Sequence, residues 1–407
     1  MFKPLTGVKV VDLTYFIAGP GTARILADWG ADVIKVEPFW GDPGRTTGAG
    51  MGAPTTFGVN PLYSCYNSEK RGISVDLKSE KGMEILHKIL ATADVFVTSY
   101  RTKALQKLGL DYESVHEKYP RIVWAQINGF GDYGPAKDNP GFDTVAFWAR
   151  SGAMLDSAEK GTTVNPPIGF GDATTSCSLS GGIAAALYQQ QKTGIGAKVM
   201  VSLFAQAIWN LSSLVASTQY GDVYPKTRTE ANSPVINSYK CKDGGWIFLS
   251  ILEHERYYDS LCKVIEREDL IGNEKYSTTL SAKVNSSEFI EIISKQFEKW
   301  TQDEMDKKLI AADIAHEKIQ GVIDVIKDPQ AIANNYLYEV ENRDGSKCFM
   351  AMPPIKFNTI DVHVKNDAPL IGENNEEILK EIGYSEEEIK QFTEEKIILS
   401  VPYVKET

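Results

Sequence analysis

The chain is short of the residues that would make it a disulfide scaffold, a metalloprotein or a nucleic-acid binder. Among 407 residues there are five cysteines, Cys65, Cys177, Cys241, Cys262 and Cys348. They are odd in number, scattered and never spaced as CxxC, which predicts reduced thiols and a cytoplasmic protein. The five histidines (His87, His116, His254, His316 and His363) show no metal-ligand spacing, so no metal site is expected. Positive charge is also scarce. Lys and Arg number 43 against 54 Asp and Glu, a net charge of −11, which excludes nucleic acid or an anionic membrane as the main partner. No apolar run is long enough to span a bilayer, and MFKPLTGVKVVDL enters a strand pattern with no apolar signal region, so neither a membrane segment nor a leader is expected. What is present is the profile of a globular protein, 43% hydrophobic and 24% charged. The length exceeds one ordinary core and predicts two domains.

Strand-like and helical stretches alternate through the first third of the chain. VKVVDLT (8–14), ADVIKVE (31–37), GISVDL (72–77), DVFVTSY (94–100) and RIVWAQING (121–129) read as strands. Between them lie ARILADW, closed by Gly30, then EKGMEILHKILATA, capped by Ser79, and YESVHEKY, capped by Asp111. Strand–helix–strand units of this length predict a parallel sheet covered by helices on both faces. Residues 142–220 read as mostly helical, including the small-residue segment ATTSCSLSGGIAAALYQQQ, ended by Lys192 and Gly194. The Gly-, Pro-, Asn- and Thr-rich stretch Tyr220–Pro234 is the expected domain boundary. GGWIFLSIL (244–252) and amphipathic helices such as EFIEIISKQFEKW (288–300) predict a smaller second domain, with Asp328-Pro329 opening a further helix. The acidic end from Glu373 carries a capping box, Ser385 with Glu388, and reads as helices with solvated faces.

Three features bear on chemistry. The first turn, FIAGPGTARILADWG, places Gly19 and Gly21 as in a dinucleotide fingerprint, but Arg24 stands where the third glycine belongs, so a tight turn into a helix is favoured over NAD binding. From Lys70 to Lys107 eight basic residues (Lys70, Arg71, Lys78, Lys81, Lys88, Arg101, Lys103, Lys107) face four acids, a local reversal of the chain's charge. Lys78, Arg101, Lys103 and Lys107 follow strand ends, where open parallel sheets bind ligands, and would suit a phosphorylated one; solvated helix faces are the alternative. Third, Asp172 follows Gly169-Phe170-Gly171 at a helix start. It reads either as an N-cap or as a carboxylate nucleophile that the helix N-terminus keeps ionised.

Long blocks of the chain resemble the family III CoA-transferases. They are LTGVKVVDLTYFIAGPGTARILADWGADVIKVEPFWGDPGR, KRGISVDLKSEKG, DVFVTSYRTKALQKLGLDYESV, PRIVWAQINGFGDYGP, GFDTVAFWARSG, GFGDATTS and LIGENNEEILKEIGYSEEEI. The resemblance implies an α/β fold, with a Rossmann-like parallel sheet in a large CoA-binding domain (1–220, completed by 331–407) and a smaller α+β domain (221–330). It implies an interlocked-ring homodimer, an aspartate nucleophile at Asp172, and CoA contacts from Ile17, Ala18, Val75, Lys78, Ser99, Tyr100, Arg101 and Lys107. Coenzyme A is then a substrate, with no tightly bound cofactor. The loop RTEANSPVINSYKCKDGG lacks the glycine run of formyl-CoA members and is similar to that of the fermentative branch acting on phenyllactate, cinnamate or 2-hydroxyisocaproate. Pro38 stands where relatives often carry an arginine that touches CoA.

The implied activity moves CoA from an acyl-CoA thioester to a free monocarboxylic acid, a 2-hydroxy or aryl/alkyl acid, as in anaerobic amino-acid fermentation. The rivals are an α-methylacyl-CoA racemase of the same fold, an NAD-dependent dehydrogenase and a silent CoA-binding protein. The racemases use a histidine in a GHD motif where this chain has Gly141-Phe142-Asp143, and phenylalanine cannot carry a proton. Arg24 disfavours the dehydrogenase, and Asp172 at an intact helix start disfavours the silent protein.

Overall fold

The computed structural model describes residues 3–358 and 367–401; His363 lies outside them. The chain forms two compact units. The first comprises Met1–Ala153, Pro166–Val215 and Pro329–Thr407, and the second Met154–Asn165 and Ala216–Asp328. Segment 154–165, which nothing in the sequence marks as separate, belongs to the second unit.

The first unit is built on six parallel strands, β1 (Lys9–Leu13), β2 (Asp32–Glu37), β3 (Arg71–Ser74), β4 (Val95–Thr98), β5 (Val123–Asn128) and β6 (Lys198–Ser202), in the order β3-β2-β1-β4-β5-β6. This is a Rossmann-like α/β sheet, as expected; residues 142–220 are mostly helical, as read from the sequence, and β6 is the one strand among them that the sequence pattern does not foresee. Val10 and Val11 show why the strands are apolar throughout. Val11, with Leu13, Ile34, Ile73 and Phe96, packs on Ile85, Leu86 and Ile89 of helix Glu80–Leu90 and on Ile378 and Phe392 of the C-terminal helices. Val10, with Val33, Val97 and Ile127, packs on Leu26 of helix Ala18–Asp28 and on Leu179 and Ile183 of helix Phe170–Thr193. Two buried faces require alternate residues of both parities to be apolar. Ser79, Asp111 and the Ser385–Glu388 box cap their helices as predicted.

Helices Ala18–Asp28 and Phe170–Thr193 cross closely because their facing residues are small. A Cβ on Gly21 would sit 2.6 Å from Ser176 Oγ. Arg24 is buried beside them, its guanidinium paired with Asp28 at 2.8 Å and bonded to the Tyr338 hydroxyl at 2.9 Å. The Gly19–Arg24 stretch is thus a packing device. Tyr338 belongs to the hairpin of β10 (Leu337–Glu341) and β11 (Lys347–Ala351). In numerical order before that hairpin comes the second unit, an antiparallel sheet of β7 (Ile236–Lys240), β8 (Trp246–Ser250) and β9 (His316–Ile319). One face, with Tyr239, Ile247 and Leu249, packs on Phe289, Ile293 and Phe297 of helix Ser286–Phe297; on the other, Ile236, Phe248 and Ile319 are exposed.

Candidate active site

The chain runs from β1 outward to β2 and β3, then returns to β4 on the other side. Ligands of such sheets bind at this switch, beyond the carboxyl ends of the strands. Here a cleft of about 100 Å³ opens there, lined after β1 by Tyr15 to Ala18, after β4 by Ser99 and Arg101, and by Phe142 and Asp172. Its walls are locked from behind. The Ser99 hydroxyl accepts the Tyr15 N–H at 3.0 Å. Phe16 holds a left-handed backbone, φ 67°, with its N–H on Asp42 Oδ1 at 3.0 Å. Ser176 Oγ lies 2.7 Å from the Ala18 carbonyl and 2.9 Å from that of Asp172, tying the long helix to the β1 turn.

Of the residues named from the sequence, Ile17, Ala18, Ser99, Arg101 and Asp172 meet in this cleft; Val75, Lys78, Tyr100 and Lys107 do not line it. The Val75 side chain is fully buried in the core and its backbone bridges Ile398, so only its main chain could face a ligand. Tyr100 is half-buried, its ring 5.3 Å from that of Tyr15, and burial pushes its hydroxyl up to about 12. Lys78 is exposed, its ammonium 5.8 Å from the ring centre of exposed Trp40. Lys107 is exposed in the last turn of helix Thr102–Leu108.

The basic run is not one surface. Lys70 is fully buried on Asp12 at 2.8 Å; Arg71 pairs with Asp32, Glu377 and Glu381. Lys81 and Lys88 share Glu84, and Lys103 pairs with Asp138 at 2.8 Å. Lys78, Arg101 and Lys107 form no ion pair among the described residues. Counting charge along a sequence cannot tell a cation used inside the fold from one held out to solvent. Lys137, exposed on the rim, lines the cleft and was not marked by any motif.

Asp172 departs from expectation in two respects. It is not the cap. Gly169, with φ 81°, occupies that position with no side-chain bond, and Asp172 is the third residue of helix Phe170–Thr193. Nor is it kept ionised by the helix end. Burial, and then the negative charge of Asp143, push its carboxyl up to about 7. Asp143, which sequence reasoning passed over beside Phe142, is buried at 4% exposure and opens the π-helical turn Asp143–Ala149. Its Oδ2 accepts the Gly169 N–H at 2.9 Å. Its own carboxyl is raised by burial, against the N–H groups of Gly169, Gly171 and Asp172. The arrangement is a carboxyl in an aromatic-walled cleft, whose ionised oxygen could attack an activated carbonyl. Phe142 stacks edge-on against Phe16 at 5.4 Å and offers no acid or base. Among the described residues no cluster of His, Cys, Asp and Glu could hold a metal, no helix is long and apolar enough to cross a membrane, and the cysteines are free.

A parallel α/β sheet with a cleft at its switch point defines a ligand-binding α/β protein. The chain belongs to CoA-transferase family III, whose model matches residues 5–375. It is 39% identical to the (R)-2-hydroxy-4-methylpentanoate CoA-transferase of Clostridioides difficile, over 97% of this chain and 99% of that protein. It is 42% identical to the cinnamoyl-CoA:phenyllactate CoA-transferase of Clostridium sporogenes, over 97% of each. A CaiB/BaiF family protein from Brucella suis shares the fold, with a TM-score of 0.80 at 24% identity over 94% of this chain and all of that one. The protein is a CoA-transferase, and the expected similarity to 2-hydroxy acid and phenyllactate CoA-transferases holds.

Proposed function

We propose that the enzyme moves CoA to 2-hydroxy or aryl/alkyl monocarboxylic acids through a covalent cycle on Asp172. The observation that carries this is the placement of Asp172, a half-buried carboxyl raised to about 7, in the cleft at the β1/β4 switch. A carboxylate oxygen of Asp172 attacks the donor thioester carbonyl, the C–S bond breaks, and CoA leaves as thiolate, giving an acyl–aspartyl anhydride. The thiolate attacks the aspartyl carbonyl, releasing the donor acid and leaving an aspartyl-CoA thioester. The acceptor carboxylate attacks that thioester, forming a second anhydride and thiolate. The thiolate then takes the acceptor acyl group, and Asp172 is again a carboxylate. Phe16, Ile17, Phe142 and Leu203 line the cleft with apolar surface, which suits an acid with an apolar side chain, as in the two relatives' names.

Ile17, Ala18, Ser99, Arg101 and the backbone at Val75 are assigned to CoA, with Tyr100 behind them and Lys78 and Lys107 drawing its phosphates. CoA is a substrate; no tightly bound cofactor is invoked. A homodimer is supported by the large apolar side chains left exposed on both units, among them Trp209, Tyr220, Val284 and Val322. Light scattering should give twice the chain mass of 45.0 kDa. The cytoplasm is the compartment that suits free thiols and a CoA substrate. The function is tested by incubating acyl-CoA donors with a panel of acids and detecting products by mass. Phenyllactate-type acids should be accepted over dicarboxylates. A 2-methylacyl-CoA in deuterated water should show no exchange at the α-carbon; rapid exchange with no transfer would assign the racemase reaction instead.

A further inference from the structure

The mechanism above uses one carboxylate, yet the cleft is backed by a second. Asp143 Oδ1 is buried without a hydrogen-bond partner among the described residues, while Oδ2 holds the Gly169 N–H. The carboxylate lies flat against the backbone just before Asp172: a Cβ added at Gly171 would fall 2.2 Å from Oδ1. No cation neutralises it. Tyr66, from helix Pro61–Asn67, is the titratable group that faces the pair; Arg101 and Lys137 line the same cleft, and Phe147 lies on the same side of Gly171 as Asp143 Oδ1. The π-helical turn that carries Asp143 is a rare geometry, met often at functional sites. A buried acid with an acceptor oxygen left unbonded costs stability, and a fold keeps such a group only where something offsets that cost.

We propose that Asp143 is a positioning residue that drives acylation of Asp172: its carboxylate clamps the Gly169–Gly171 turn and sets a negative charge that no cation balances behind the nucleophile. The inference rests on Asp172 being the nucleophile. The charge balance gives the effect its direction. Before attack Asp172 carries −1 beside Asp143. When its oxygen bonds to the acyl carbon and the C–S bond breaks, the charge departs on the sulfur and Asp172 becomes part of a neutral anhydride. Repulsion present in the free enzyme is thereby relieved in the acyl-enzyme, which favours an intermediate that is otherwise high in energy. Asp143 touches no reacting atom in this account.

Asp143→Asn separates the clamp from the charge, because the amide oxygen can still accept the Gly169 N–H. A clamp alone predicts an unchanged pH profile. The charge predicts that the acid limb of kcat/KM, near pH 7 in the wild type, moves down by about one unit or more, and that kcat at pH 8 falls roughly tenfold. Hydroxylamine should trap correspondingly less acyl group on Asp172 at steady state. An unmoved limb with wild-type kcat would overturn the proposal. If Asp143→Asn does not fold, as judged by its thermal transition, carbon-13 carboxyl NMR of the wild type still decides. Coupled acids titrate in two macroscopic steps belonging to the pair, whereas two independent single-step curves would contradict the proposal. Should wild-type enzyme yield no hydroxamate on the Asp172 peptide at all, the nucleophile assignment fails, and that outcome is distinct from an Asp143 variant that acylates normally.

Discussion

Two sets of buried acids sit along the same edge of the parallel sheet, and they are treated in opposite ways. Toward β2 and β3 every acid has a base. Asp12 meets Lys70 at 2.8 Å, Asp42 meets Lys35 at 2.9 Å, and Glu37 meets Arg45 at 2.7 Å. Burial alone would push Glu37 upward, but Arg45, Lys35 and the Tyr63 hydroxyl together outweigh it and bring the carboxyl down to about 2. Toward β5, Asp143 and Asp172 have no base, and both carboxyls are raised. Desolvation is common to the two sets; pairing is what separates them. Paired charges hold the Phe16 turn and the β1 loop in place. Unpaired ones store repulsion that chemistry can release.

The largest effect is expected where the unpaired set is removed. Asp172→Ala should lower turnover by at least about 10³-fold in a coupled assay, as loss of a covalent nucleophile does elsewhere. Asp172→Asn should be equally inactive yet fold at least as stably as the wild type, since it discharges a site that no cation balances. The paired set should respond in reverse. Lys70 donates to Asp12, to the Pro20 carbonyl and to Asn67 Oδ1, at 2.8, 2.9 and 2.9 Å. Lys70→Met removes the direct ion-pair partner of Asp12 in the core, leaving it the Thr14 hydroxyl and the more distant charge of Lys35, and should cost about 3 kcal/mol in urea unfolding. Wild-type stability in that variant would erase the distinction.

Smaller effects follow from pH. Asp172, raised to about 7 from an ordinary 3.8, keeps a proton in the folded state that the unfolded chain loses near pH 4. Its contribution to stability is complete below pH 4 and is lost as the pH rises through 7. Glu37 has the opposite sign: its contribution is present above the ordinary range of 4.5 and is lost as the pH falls through about 2. Between pH 5 and 8, Asp172→Asn should therefore lose less stability than the wild type, by on the order of 1 kcal/mol. The smallest effect concerns the exposed cations. Lys78→Ala or Lys107→Ala should raise KM for the CoA donor about threefold at low salt and less at high salt. Unchanged KM at every ionic strength would return both to plain solvated surface.

The sheet was legible because five of its six strands are continuous apolar runs between capped helices. β6 was not. Lys198–Ser202 is a short edge strand whose middle residues are half-exposed, and it follows a long helix rich in small residues. Asp172 could be picked out from its place after Gly-Phe-Gly, but its state could not. A helix N-terminus favours the anion by a modest amount, and here burial and a second acid outweigh it. Asp143 stood in the sequence only as the last residue of Gly141-Phe142-Asp143, with nothing there to mark it as a neighbour of Asp172. Its role depends on Gly169 and Gly171, some 26 residues away, lying against it in space. The basic run misled for the same reason in reverse. Five of its eight cations are engaged by acids, several of which stand far along the chain, such as Glu377 and Glu381.

The covalent role of Asp172 is tested most directly with an acceptor acid whose carboxyl oxygens are both oxygen-18. If the acceptor attacks an aspartyl-CoA thioester, its oxygen bridges the second anhydride and remains on Asp172 when the thiolate takes the acyl group. Digestion and mass spectrometry should then find heavy oxygen in the peptide containing Asp172, one atom after a single turnover and more with continued cycling. Product CoA ester formed at the normal rate, with that peptide unlabelled, would contradict the account.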